Sequence, residues 1–184
     1  MGSDEWCTPP DYAACLRTFY QHRKGRVGLD PCSNDRSVIW ADRRYTCAGH
    51  VLPWDADSIF ENNPYSAMDA WTDKGMIELA QPHLGKLKEL VTLVPCSPST
   101  GWWERAVAGV VVDRQRYQPL IVFTKRLAFI GDDGTLKDGA RFDSVSMVYA
   151  SDARKRAFVD VFAPLIRGVV EGRHWKTPSR KKKP

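Results

Sequence analysis

The sequence predicts an α/β fold in which helices flank a mostly parallel sheet, and three observations predict it. Apolar stretches of strand length alternate with stretches of helical period along the chain. One of them, LVTLVP at 90–95, is continuously apolar between turn signals, as befits a strand covered on both faces. Two others stop at chemically unusual loops, LDPCSN at 29–34 and ENNPYS at 61–66, and open α/β sheets hold their ligands at such carboxyl ends.

Taken in order, Thr8, Pro9, Pro10 and Asp11 form a rigid, capped lead-in to a helix. On it Tyr12, Leu16, Phe19 and Tyr20 recur at helical spacing as far as the basic run at 23–26. Residues 27–30 read as a short strand that stops at Pro31, with further short strands expected at 37–40 and 44–46 and another at 57–61. Good helix formers carrying Met68, Trp71 and Leu79 predict a helix over 67–80, ended by Pro82 and Gly85. The apolar strand at 90–95 precedes a helix over 101–108, and strands at 119–124 and 144–149 flank a Gly-rich loop. A last helix over 153–170 is expected to place Phe158, Phe162, Leu165 and Val169 on one face, kinked at Pro164.

With 184 residues, 43% of them hydrophobic, the chain can bury one core, so residues 1–172 read as a single domain. No run of about 18 apolar residues occurs and the first residues lack the pattern of a signal peptide, so a soluble, intracellular protein without a membrane partner is expected. Cys7, Cys15, Cys32, Cys47 and Cys96 are odd in number and widely spaced, which suits reduced, mostly buried thiols. Cys47 and His50 supply two ligands where structural zinc wants four, so no metal is expected. The absence of GxxxxGK argues against nucleoside triphosphates.

The charge is uneven. Residues 151–184 hold 10 Lys and Arg against 3 Asp and Glu, whereas the first 150 residues carry 17 against 19. Residues 173–184 read as a mobile basic tail. In it Arg173, Lys176, Arg180, Lys181, Lys182 and Lys183 suit either counterion release from a polyanion or plain solvation.

Three pieces of this chain belong together. Trp6, Thr8 and Pro9 stand near the start, Asp30 and Pro31 follow the first strand, and Asn62, Asn63, Pro64 and Tyr65 follow a later one. The set resembles the phage-type DNA N6-adenine methyltransferases, whose pattern is tryptophan-x-threonine-proline, Asp-Pro and Asn-Pro-Pro-Tyr. The segments LVPCSPSTGWW and KRLAFIGDDGTLKDG resemble that family's strand with paired aromatics and its late hairpin, so the likeness runs in order over about residues 4–150. It departs at Asn63, where the family has its first proline. It departs again at Cys47, Ala48, Gly49 and His50, which offer no carboxylate for the cofactor ribose and leave Asp55 and Asp57 as the nearby candidates.

The resemblance implies a Rossmann-like methyltransferase fold, S-adenosyl-L-methionine as cofactor, DNA as partner and, for a bacteriophage enzyme, the cytoplasm of a bacterial host. Asp30 would face the ammonium of the cofactor's methionine portion, with Trp6, Thr8, Pro9, Pro31 and Asn62 around it. The Asn62 side-chain oxygen and the Asn63 carbonyl would each accept an N6 hydrogen, Pro64 would shape the turn, and Tyr65 would stack on a base extruded from the duplex. The same chemistry on cytosine N4, RNA or a protein glutamine, and an inactive DNA-binding relative, are the alternatives. Target choice is expected to come from 36–54 or from 131–141, and the oligomeric state leaves no trace in the sequence.

Overall fold

The computed structural model describes residues 6–81, 87–112, 114–131, 133–137 and 143–175. Its first helix, α1 (Pro10–Phe19), begins with Pro at its first position, where the missing N–H costs nothing, and with Asp11 in the first turn. Thr8 does not cap it; the cap position falls on Pro9. The chain then passes through Lys24 and Gly25, both with positive φ, into β1 (Val27–Asp30).

The strands that follow are β2 (Ala41–Arg44), β3 (Ser58–Glu61), β4 (Glu89–Pro95), β7 (Leu120–Thr124), β10 (Ser144–Tyr149) and β11 (Ile166–Glu171). Together with β1 they form one sheet in the order β11-β7-β10-β4-β3-β1-β2. The half from β2 to β4 pairs in parallel, and the half from β4 to β11 pairs antiparallel. Five strands therefore run one way, with β10 and β11 reversed. The sheet is mostly parallel, in a mixed α/β architecture compatible with a Rossmann-like fold. Two small hairpins stand apart, β5 (Val110–Val112) with β6 (Gln115–Tyr117) and β8 (Phe129–Ile130) with β9 (Leu136–Lys137).

Helices cover both faces, which is why β1, β3, β4 and β10 are buried along their whole length. On one face α1 and α4 (Asp152–Phe162) bring Tyr12, Leu16, Phe19, Phe158 and Phe162 onto Phe60, Val91 and Val148. Phe158 and Phe162 stack at 3.9 Å, and the Tyr12 hydroxyl meets Ser146 Oγ at 2.6 Å. On the other face α2 (Met68–Ala80) and α3 (Gly101–Ala108) bring Met68, Trp71, Trp102 and Trp103 onto Leu29, Ile59, Leu90 and Met147.

Three expectations need correction. The last helix ends at Phe162, and a 3-10 turn through Pro164 leads into β11, so Val169 lies on an exposed strand rather than a helix face. Proline cannot donate the next helical hydrogen bond, and the β-branched run beyond it pairs with β7 instead. The second strand occupies Ala41–Arg44, beginning after the one expected at 37–40 and overlapping the one expected at 44–46 only at Arg44. Of the thiols only Cys7 is buried; Cys15, Cys32 and Cys96 are half-buried and Cys47 is exposed.

Candidate functional site

Chain order reverses at β1, since β2 lies on one side of it and β3 on the other. The loops leaving β1 and β3 therefore diverge and open a crevice at the carboxyl ends of the parallel strands. A cleft of about 230 Å³ lies there, walled by Trp6, by the loop from Pro31 to Asn34, by the turn through Cys47, Ala48 and Gly49, and by Asn62, Pro64 and Trp71. The three sequence pieces thus converge on one place.

Asn62 sits where β3 ends and joins two of them. Its Nδ2 donates to the Trp6 carbonyl at 2.9 Å and to Thr8 Oγ1 at 3.3 Å. A carbonyl oxygen can only accept, so this contact decides the orientation of the amide and turns Oδ1 away from the N-terminal segment. That segment is itself pinned, because Cys7 exchanges both backbone hydrogen bonds with Ile130 on β8, at 2.9 and 3.2 Å. Thr8 and Pro9 are buried behind Trp6, which is 37% exposed at the mouth of the cleft.

Asp30 ends β1 but does not line the cleft. It is 3% exposed, and its carboxylate accepts from the Cys32 N–H at 3.1 Å and the Ser37 hydroxyl at 3.3 Å. It thereby ties down the loop that forms the cleft wall, in the manner of an Asx turn. Burial pushes its pKa up to about 6, against hydrogen bonds from Cys32, Ser33 and Ser37 and the charge of Arg44. Asp30 therefore stands behind the cleft wall and holds the loop that forms it.

Glu61, beside Asn62, is a second buried carboxyl that sequence reasoning missed. It is 3% exposed, and burial, followed by the neighbouring Asp30, pushes its pKa up to about 8. Its strand partner in register is Thr92, whose buried hydroxyl has no hydrogen-bond partner among the described residues. Cys32 lines the cleft, and burial, Glu61 and Asp30 all push its thiol up, against a hydrogen bond from the Asn62 N–H. Glutamate is so seldom buried alone that no sequence pattern signals this one.

Asn63 turns into the core. It is buried, its Nδ2 lies 3.1 Å from Met68 Sδ, and its Oδ1 has no donor among the described residues. Pro64 lines the cleft and opens the 3-10 turn Tyr65–Ala67. Tyr65 is half-buried outside the cleft wall, its ring meeting the edge of Phe129 at 6.5 Å. Asp55 and Asp57 precede β3, at the end of the sheet away from the cleft, and Asp57 pairs with Arg23 at 2.5 Å, so neither lines the cleft.

Arg173 is exposed in the 3-10 turn Gly172–His174, far from the cleft. It faces a groove of about 530 Å³ with Arg116, Lys155 and Arg156, near the start of β7 on the opposite edge of the sheet. Trp175 folds back on Trp103 at 5.4 Å, so the packed structure extends beyond residue 172. Lys176, Arg180, Lys181, Lys182 and Lys183 lie outside the described residues. Among the described residues no group of three or more His, Cys, Asp or Glu is placed to hold a metal, and no helix is long and apolar enough to cross a membrane. Comparison of the chain with protein-family models, with curated proteins and with solved structures returns no match.

Proposed function

We propose that the protein is a DNA methyltransferase that uses S-adenosylmethionine to methylate the N6 amine of adenine. The observation that carries this reading is the oriented Asn62 amide. Trp6 and Thr8 take its nitrogen, so its oxygen is left as an acceptor beside an aromatic-walled cleft at the carboxyl ends of the sheet. An exocyclic amine is a poor nucleophile because its lone pair is spread into the ring. Two acceptors, Asn62 Oδ1 and the Asn63 carbonyl, each take one N–H and favour a pyramidal nitrogen.

The residues present fit the cofactor in part. Trp6, Tyr45, Trp71 and the prolines offer faces to a planar base, and the buried negative charge of Asp30 favours a cationic ligand. At about 230 Å³ the cleft is below the usual ligand-pocket range of about 300–1,000 Å³, so part of the ligand lies in the open mouth. When bound, S-adenosylmethionine supplies a methyl group already activated by its sulfonium. The chain's part is therefore positioning. An amide is no base, so the displaced N6 proton leaves to water. Asn63 turns its side chain into the core, so its replacement of the family proline does not obstruct the cleft.

The test is transfer of radiolabelled methyl from S-adenosylmethionine to duplex DNA, followed by nucleoside analysis. Label in N6-methyladenine is the expected result, falling about 100-fold in Asn62→Ala, in line with the loss of one preorganised polar contact at a reacting centre. Label in N4-methylcytosine, RNA or protein moves the same chemistry to another amine. Binding of DNA with no transfer to any of these leaves an inactive relative.

A further inference from the structure

The turn that follows β2 is fastened as one stiff body. The N–H groups of Val51 and Leu52 both donate to the Ala48 carbonyl, at 2.9 and 3.1 Å, and Ala48 itself adopts a positive φ. Trp54 Nε1 donates to the Gly49 carbonyl at 2.7 Å, and the Tyr45 hydroxyl donates to the Pro53 carbonyl at 2.8 Å. Gly49 is pressed so closely on the Pro31 carbonyl that a Cβ would stand 1.8 Å from it. From this knuckle, whose inner side walls the cleft, Val51 projects 67% exposed and Leu52 37% exposed. Loop tips are ordinarily polar; this one is apolar and rigid. Arg44, exposed at the end of the strand that leads into it, donates to the Ile39 carbonyl, whereas Arg43 turns to the Asp55 carbonyl and a pocket shared with Asp42 and Asp57.

Resting on the DNA reading above, we propose that Val51 and Leu52 form a wedge that enters the base stack of duplex DNA and holds open the gap left by the extruded adenine. A base drawn into the cleft leaves a hole that its neighbours close by restacking. An apolar body placed in that hole replaces the lost contact, and a flanking phosphate meets Arg44. Stiffness is essential, because a mobile side chain yields before a stacked base does. The four hydrogen bonds behind the knuckle provide it. The wedge is needed only where the target base is stacked in a duplex, so single-stranded DNA bypasses it.

The test compares the wild type with Val51→Ala/Leu52→Ala in methyl transfer to native and to heat-denatured plasmid DNA, which presents all short target sequences. Potassium permanganate reactivity of thymines in the native plasmid is read in parallel. The double variant is expected to lose at least tenfold on native DNA and less than twofold on denatured DNA, with loss of the permanganate-reactive thymines that the wild type creates. Val51→Ser alone, at the more exposed position, reproduces the selective loss if the double variant fails to fold. Equal losses on both substrates, or none on either, overturn the wedge, as does a wild type that exposes no thymine. Reactive thymines that depend on Val51 and Leu52 without methyl transfer uphold the wedge and overturn the methyltransferase reading.

Discussion

Glu61 holds a proton that the unfolded chain releases, and this gives the molecule an unusual response to pH. A carboxyl whose folded pKa is raised from its ordinary 4.5 to about 8 stabilises the fold fully below about pH 4.5, and that contribution is lost as the pH rises through about 8. Asp30, raised from 3.8 to about 6, acts in the same sense over a lower window. The groups facing Glu61 are Asp30 from the end of β1, Cys32 from the following loop and Tyr149 from β10, and none of them is a cation that would hold it ionised. The melting temperature, followed from pH 5 to pH 9, is therefore expected to fall. Glu61→Gln flattens the upper part of that decline and raises stability at pH 9 by at least about 1 kcal/mol, since one pKa unit corresponds to about 1.4 kcal/mol. A Glu61→Gln profile parallel to the wild type would mean that Glu61 is ionised throughout.

Among the elements, the turn from β2 to β3 decides the shape of the cleft. Its closest approach is Gly49 on the Pro31 carbonyl, with Trp71 3.0 Å from where a Cβ would stand. Gly49→Ala forces backbone apart from backbone, with an expected cost of about 1–3 kcal/mol in denaturant unfolding and at least tenfold weaker cofactor binding by calorimetry. A neutral result would show that the two loops are not in contact. The elements legible in the sequence were those with local punctuation. Pro9 and Pro10 at the start of α1, Asp30-Pro31 at the end of β1, and Pro95 and Ser97 at the end of β4 mark their boundaries whatever the rest of the chain does. The second strand escaped because Asp42, Arg43 and Arg44 are exposed and show no alternation, as an edge strand permits. The strand β11 escaped because Leu165 and Val169 continue a helical spacing past the proline, and pairing with β7 outweighs it. The same limit applies to the site. That Asn62, Asn63, Pro64 and Tyr65 form a loop after a strand is visible in four letters, whereas the contacts of Asn62 with Trp6 and Thr8 join residues 56 and 54 positions apart, and no local pattern encodes them.

At the scale of the whole molecule, Arg173 lines a groove separate from the cleft. Trp175 is anchored on Trp103, and Lys176, Arg180, Lys181, Lys182 and Lys183 lie outside the described residues. Deleting residues 176–184 is expected to weaken DNA binding alike on all sequences. It should flatten the slope of log affinity against log salt by up to about 4, if each of these charges meets a phosphate, and leave the preferred methylation site unchanged. An unchanged slope in titrations at several salt concentrations would make this segment a bystander; a shifted methylation site would make it a reader of bases. The bridge between Cys7 and Ile130 sets a condition of another kind, on biosynthesis. The N-terminal carbonyl that orients Asn62 is locked by a strand made 123 residues after Cys7, roughly 6–25 s later at ordinary translation rates of about 5–20 residues per second. Until that strand clears the ribosome the nascent chain carries Asn62 without its orienting partners held in place.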